Sequence, residues 1–201
     1  MKKKKPILLI GAGGHANSCV EVIERSSNFY IAGFISSKHS INDKIFNYKV
    51  LSNKDNFEIF YPKIRNVAIC IGQIKSSKKR EMLYKKLKKI GFNFPVFFPK
   101  SSYVSKTAKI DEGTIIMNKC VINSKVKIGK CCIINTSSVI EHDVNIEDFC
   151  HISTSVTVNG ACNIGTKSFI GSGSVLRECI TLKKNTFIKM KSSVKKSNIE
   201  K

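Results

Sequence analysis

The stretch Asn135-Thr136-Ser137-Ser138-Val139-Ile140-Glu141-His142-Asp143 sets one histidine between two carboxylates. An imidazole titrates near pH 6.5, so it can take a proton at neutral pH. A carboxylate bonded to one ring nitrogen fixes the tautomer and raises the basicity of the other, the logic of a catalytic dyad. His142 is therefore a candidate general base, and His151 is the second histidine of this region. The same residues read equally well as surface polar groups with no task. A second cluster opens the chain: Gly11-Ala12-Gly13-Gly14-His15-Ala16 directly follows the apolar run Ile7–Ile10. Gly11, Gly13 and Ala16 make a passable dinucleotide fingerprint. That reading wants an Asp or Glu about 20 residues on for a ribose, and Ser36 and Ser37 stand there.

Two kinds of element must position these groups. In the N-terminal half, Ile7–Ile10, Tyr30–Ile35, Val67–Ile71 and Phe94–Phe98 read as short buried strands. A helix follows the glycine loop through Val20, Val22 and Ile23. A second lies between Ser76 and Ile90, with Met82, Leu83, Leu87 and Ile90 at helical spacing and Gly91 as its stop. Alternating strands and helices predict a parallel sheet.

The C-terminal half is a repeat. Every sixth residue from Val104 to Ile188 is Val, Ile or Leu, and the phase never slips. Two residues before each stands a mostly small one, such as Ala108, Thr114, Cys120, Cys132, Ser138, Cys150, Cys162 and Ser168. A helix repeats at 3.6 and a strand at 2, so this period predicts a hexapeptide β-helix. Three sides of six residues close one coil, and coils stack at about 4.8 Å, giving nearly five coils about 24 Å tall. The four cysteines in small slots are expected to be buried and inert. Gly129, Gly165 and Gly171 follow aliphatic positions and are expected where the backbone turns. His142 and His151 fall off the inward slots and should project outward. Gly160, one coil above His142, leaves room for a ligand and offers a backbone N–H to an oxyanion. Flat, strand-rich sides invite self-association, and a triangular prism suits a homotrimer.

Composition narrows the function classes. Thirty-five Lys and Arg against 14 Asp and Glu give +21 over 201 residues. Such charge favours polyanions of any kind, yet no nucleic-acid-binding module accompanies it, so no nucleic-acid partner is expected. Lys2 to Lys5 look like the start of a signal peptide, but Ile7–Ile10 is too short to continue one. No run approaches the roughly 20 apolar residues of a membrane span. A cytoplasmic protein with no membrane insertion is expected. With no C-x-x-C pair among eight cysteines, neither disulfides nor a metal site is expected.

The glycine loop after the first strand, together with Asn135–Asp143 inside a hexapeptide helix, resembles the NeuD/PglD family of bacterial sugar acyltransferases over nearly the whole chain. The resemblance implies an α/β plus all-β protein. A small Rossmann-like βαβ domain over 1–98 precedes a left-handed parallel β-helix over 104–188 and a basic tail over 189–201. It implies transfer of acetyl from acetyl-CoA, without metal, to a hydroxyl or amino group of a sugar for surface glycan synthesis. The acceptor would be sialic-acid-like or nucleotide-linked. His142 would be the base and Asp143 its partner, at sites between subunits. Asn135 and His151 would lie near the acceptor, with Gly11, Gly13, Gly14 and His15 holding the sugar or its phosphates. Gly160, with Gly171 and Gly173, would face acetyl-CoA.

Two departures stand out. Ser36-Ser37 replace an acidic pair that nucleotide-sugar-binding members carry, which favours a free sugar or a different nucleotide, and Lys189-Met190-Lys191 stand in place of the family's closing Pro-Ala segment. These lysines are expected to contact CoA phosphates instead. The alternative is a non-catalytic CoA- or sugar-binding paralogue. A zinc site like that of β-helical carbonic anhydrases needs a third histidine that this half lacks.

Overall fold

A computed structural model describes residues 4–25 and 28–198. Residues 1–3 and 199–201, the outer ends of the first expected domain and of the tail, lie outside the described residues. The chain divides into two compact units, 1–72 with 78–97 and 73–77 with 98–201. Among the described residues no helix is long and apolar enough to cross a membrane.

The first unit runs β1 (Lys5–Ile10), α1 (Gly14–Glu24), β2 (Phe29–Ile35), β3 (Lys44–Ile45), β4 (Tyr48–Ser52), β5 (Asn66–Ile69) and α2 (Lys78–Ile90). The sheet order is β3-β4-β2-β1-β5, parallel except where β3 pairs with β4. Ile7, Leu8 and Leu9 are wholly buried, as a central parallel strand covered on both faces requires. The β3–β4 hairpin was not foreseen.

Two expectations change here. Phe94–Phe98 makes no strand: Asn93 forms an isolated bridge with Asn66, and Pro95 has no N–H to continue the ladder. The buried stripe of α2 is Arg80, Leu83 and Leu87, while Met82 is exposed. Arg80 Nη1 donates to Ile69 O at 3.2 Å and Ile71 O at 2.6 Å. A charge so buried is tolerated because it satisfies the carbonyls at the end of β5.

The second unit is a left-handed parallel β-helix. Two-residue strands recur every six residues and stack into three parallel sheets of five, five and six strands. The inward aliphatic residues from Ile116 to Leu182 form one continuous core, each buried to 2% or less. The stack runs past Ile188: Ser193–Val194 pairs with Val175–Leu176, and Asn198 bridges to Leu182. Val194 is simply the next residue in the six-residue series, so residues 189–198 continue the coil.

The small slots do more than save space. Cys120, Cys132, Cys150 and Cys162 donate their thiols to the carbonyls fifteen residues on, at 3.0–3.2 Å. Thr114, Ser138 and Ser174 place hydroxyls in the same bond at 2.7–2.9 Å. Each ties one coil to the next through a carbonyl that no strand partner reaches.

The corners turn at residues three after the aliphatic ones. Twelve non-glycine residues between Lys119 and Lys191, with Gly113 and Gly173, have φ between +51° and +74° at six-residue intervals. Gly129, Gly165 and Gly171 are not among them. Their need is different: a Cβ there would lie 2.4–2.5 Å from Asp148 Oδ1, Lys184 N and Met190 N respectively. They are glycines because the next coil passes close above.

The three flat faces differ in outward chemistry. One carries Ile115, Ile133, His151, Phe169 and Phe187 in register. The second carries Tyr103, Val121, Val139, Thr157 and Val175. The third carries Lys109, Lys127, Asn145, Asn163 and Thr181.

Candidate active site

His142 and Asp143 occupy the corner between Val139–Ile140 and Asn145–Ile146. Asp143 is one of the left-handed corner residues, with φ +60°, held by its N–H to Ser124 O at 3.0 Å. In a strand, neighbouring side chains diverge to opposite faces. The left-handed backbone brings them together, and Asp143 Oδ2 lies 2.9 Å from His142 Nδ1. The carboxylate fixes the proton on Nδ1 and leaves Nε2 with its lone pair outward. Glu141, the other flanking carboxylate, accepts from Asn123 Nδ2 at 2.9 Å instead. The imidazole side chain is 60% exposed.

Gly160 stacks above this ring. A Cβ at Gly160 would lie 2.7 Å from His142 Cε1 and 2.8 Å from Nε2. The spacing of one coil thus predicts a contact that the structure contains. Ala161 N–H donates to His142 O. Among the described residues no group accepts from the Gly160 N–H. An imidazole, a carboxylate bonded to it and an uncommitted amide N–H therefore meet at one corner.

Asn135 and His151 belong to a different corner and face. Asn135 Oδ1 accepts from Thr136 N at 2.9 Å, which leaves Nδ2 to donate to His151 Nε2 at 3.3 Å. His151 Nδ1 in turn donates to Gln73 O. The chain of bonds fixes the amide orientation and the tautomer of the ring. His151 does project from the coil, but it is buried beneath segment 73–77 and edge-on to Phe169 at 5.2 Å. Gln73 Nε2 also donates to Phe149 O at 2.8 Å. No sequence signal marks Gln73, which simply follows the loop after β5. Gly171 and Gly173 lie two coils above the Asn135 corner, with Lys189 and Lys191 one coil higher on the same columns. One copy of the chain therefore does not bring Gly171 and Gly173 to the corner of Gly160.

The glycine loop forms a separate site in the first unit. Gly11 needs its residue type: φ is +95°, and a Cβ would lie 2.4 Å from Ile71. Gly13 and Gly14 face open space. With His15, they line a cavity of about 390 Å³ that also receives Ser37, Lys38 and Lys79. Gly13 caps α1, whose first turn holds no acidic residue, so its N–H groups and dipole favour an anion. Ser36 is buried and committed to its own turn, bonding His39 Nδ1 at 3.0 Å. Beneath the loop Cys70 donates to Cys19. That bond, with His15 and Arg80 adding to it, holds the Cys19 thiol below its usual range against the effect of burial. Among the described residues no three His, Cys, Asp or Glu side chains gather as a metal site would need.

Comparisons with known proteins match the two parts of the chain to different families. Residues 6–87 match the PglD N-terminal domain, and residues 98–201 match the GMPPB C-terminal domain. A comparison with curated proteins gave no match. Among solved structures, perosamine N-acetyltransferase from Caulobacter crescentus, a mutant in complex with CoA and GDP-perosamine, aligns with a TM-score of 0.89 at 21% identity. The alignment covers 96% of this chain and 89% of that one. The acetyltransferase domain of PglB from Neisseria gonorrhoeae with acetyl coenzyme A also gives 0.89 at 21%, covering 97% and 93%. WeeI from Acinetobacter baumannii gives 0.56 at 20%, covering 95% and 94%. At these identities the likeness is one of fold.

Proposed function

We propose that this chain, which belongs to the NeuD/PglD-type proteins through its PglD N-terminal domain and to the GMPPB C-terminal domain family through residues 98–201, transfers acetyl from acetyl-CoA to a sugar. The observation that carries the reading is the corner where Asp143 bonds His142 Nδ1 and Gly160 opens the space over Nε2. His142 Nε2 takes the proton of an acceptor hydroxyl or amine as its oxygen or nitrogen attacks the thioester carbonyl. The Gly160 N–H meets the oxyanion. The carbonyl re-forms as the C–S bond breaks, and the departing thiolate receives the proton from the imidazolium, which regenerates the base. The acceptor of the Caulobacter relative's complex is a nucleotide-linked amino sugar, and an acceptor of that class fits here.

Asn135 and His151 line the acceptor side, and the glycine-loop cavity with Gly11, Gly13, Gly14 and His15 holds the acceptor's anionic end. Acetyl-CoA runs past Gly160, Gly171 and Gly173, with Lys189 and Lys191 toward its phosphates. These groups sit on two corners of the coil, so a complete site forms between copies. The apolar row Tyr103, Val121, Val139, Thr157 and Val175 lies between those corners and is open to solvent at Tyr103 and Val175. Covering it in a homotrimer satisfies both needs. All eight cysteines are free thiols, which suits the reducing cytoplasm.

The test is thiol release from acetyl-CoA against sialic acid, its CMP form, and UDP-, GDP- and dTDP-linked amino sugars. Turnover with one acceptor, lost in His142→Ala, supports the reading. A folded protein that binds CoA yet releases thiol with no acceptor overturns it in favour of a binding role.

A further inference from the structure

Gln73 has the burial of a core residue and the chemistry of a surface one. It is 2% exposed. Its Nε2 donates to Phe149 O at 2.8 Å, but Oε1, buried as well, meets no donor among the described residues. A buried polar atom left unpaired costs free energy that an apolar side chain of the same length would avoid. Stability alone therefore does not account for a glutamine here. Phe149 stands at a left-handed corner, φ +58°, two residues before His151. The side-chain bond to that corner fixes where the backbone of Gln73 runs, and its carbonyl oxygen accepts from His151 Nδ1.

The consequence passes to Asn135. With a proton held on Nδ1 by Gln73 O, the His151 ring offers a lone pair at Nε2, and Asn135 Nδ2 donates to it at 3.3 Å. Asn135 Oδ1 is already committed to Thr136 N at 2.9 Å. In the other tautomer Nε2–H and Asn135 Nδ2–H would face each other as two donors, and Asn135 would have to turn and release Thr136. An amide nitrogen carries two hydrogens. The second one on Asn135 meets no acceptor among the described residues, and Asn135 is half-buried rather than enclosed. The His151 ring itself is 6% exposed, with Phe169 edge-on at 5.2 Å, so it acts on a ligand through Asn135.

We infer that Gln73 is a positioning residue: by holding a proton of His151 on Nδ1, it directs the free Nδ2–H of Asn135 to an oxygen of the bound acceptor sugar. The inference rests on the acetyl-transfer reading for the identity of the ligand. Asn135 touches the sugar, and Gln73 touches only protein. The chain of bonds gives this corner a polarity. It donates, so it selects an acceptor that presents an oxygen lone pair at that point. Residues 73–77 lie between β5 and α2 in sequence yet belong to the second unit. A residue of the N-terminal half thus serves the coil's site without being part of the repeat.

The experiment sets wild type beside Gln73→Met, Gln73→Asn, Asn135→Ala and the double variant Gln73→Met/Asn135→Ala. Met keeps the length of Gln without either polar atom, and Asn is one methylene too short to reach Phe149 O. Both should melt within a few degrees of wild type. Thr114→Val, which deletes an inter-coil bond of 2.7 Å elsewhere in the coil, is the control. It should lower Tm and leave the kinetics of the folded protein unchanged. Nitrogen-15 spectra of histidine-labelled protein, which holds four histidines, read the His151 tautomer without turnover. The expected result is a proton on Nδ1 in wild type and in the control, and loss of that single tautomer in both Gln73 variants. Gln73→Met should lower kcat/KM for the sugar about tenfold with the acetyl-CoA KM unchanged, and should add no loss in the Asn135→Ala background. A tautomer unmoved by the Gln73 variants, a wild-type ring protonated on Nε2 alone, or losses that simply add to that of Asn135→Ala each overturn the inference. An altered tautomer with wild-type acceptor kinetics also overturns it and leaves the acetyl-transfer reading standing. A wild type that releases no thiol with any acceptor overturns that reading instead, while the tautomer still decides for or against Gln73.

Discussion

His142 and Gly160 are eighteen residues apart in sequence and touch because one coil has that length. An added methyl at Gly160 would meet only imidazole atoms, at 2.7 and 2.8 Å. An exposed imidazole can swing aside, so Gly160→Ala should melt within a degree or two of wild type, while kcat/KM falls by about 10²-fold or more as the base loses its position. Asp143→Asn removes the acceptor of the Nδ1 proton and should also lower kcat, leaving the acetyl-CoA KM unchanged. Rate assays beside melting curves check both. The His142–Asp143 pair was legible because its members adjoin, and Gly160 because the repeat supplies the offset. Gln73 was not legible. It reaches His151 from outside the repeat, and a residue type common on any surface carries no sign of a partner 78 positions away. The split of Asn135 and His151 from His142 was hidden for a related reason: nearness in sequence here means neighbouring sides of a prism, which face different ways.

At the scale of the element, each side of the coil repeats three requirements: an aliphatic residue inward, a small slot, and a left-handed corner. The first two show in the sequence as a period of six, which made the architecture readable without any alignment. The corner requirement does not show, because Lys, Ser, Asp, Phe, Ala and Cys all occupy it. Each pays about 1–2 kcal/mol for that conformation, and inter-coil bonds such as Cys131 N–H to Glu112 O offset it. The close-approach glycines behave unlike Gly160. Gly129→Ala and Gly171→Ala would press on backbone of the next coil, and each should cost about 1–3 kcal/mol, measurable as a drop in Tm of several degrees. The thiols give a pH test. Burial pushes Cys120 up to about 11 from a usual 9.0, and raises Cys162 as well. A raised thiol pKa favours the folded state below the unfolded value and loses that advantage as pH climbs through the folded one. Tm should therefore decline between about pH 9 and 11, and Cys120→Ser, which keeps a donor of the kind found at Ser138, should flatten the decline.

At the scale of the whole molecule, the proposed function makes copy number part of the chemistry. Mixing inactive His142→Ala copies with inactive Asn135→Ala copies should restore about a quarter of wild-type activity, since each shared site draws one residue from each of two neighbours. Sites confined to one copy would restore none. On the proposed reading the N-terminal unit adds selectivity: Lys38, Lys79 and the N-terminus of α1 line its cavity against the single carboxylate of Asp55, so anionic acceptors should outcompete neutral ones. The central claim is narrower than any of these: His142 removes the proton as acetyl passes from CoA to a sugar. Its most direct test is product mass from one acceptor incubated with acetyl-CoA, using wild type and His142→Asn proteins of equal Tm. The account predicts a sugar heavier by one acetyl group with wild type and none with the variant. Equal acetylation by both proteins would contradict it.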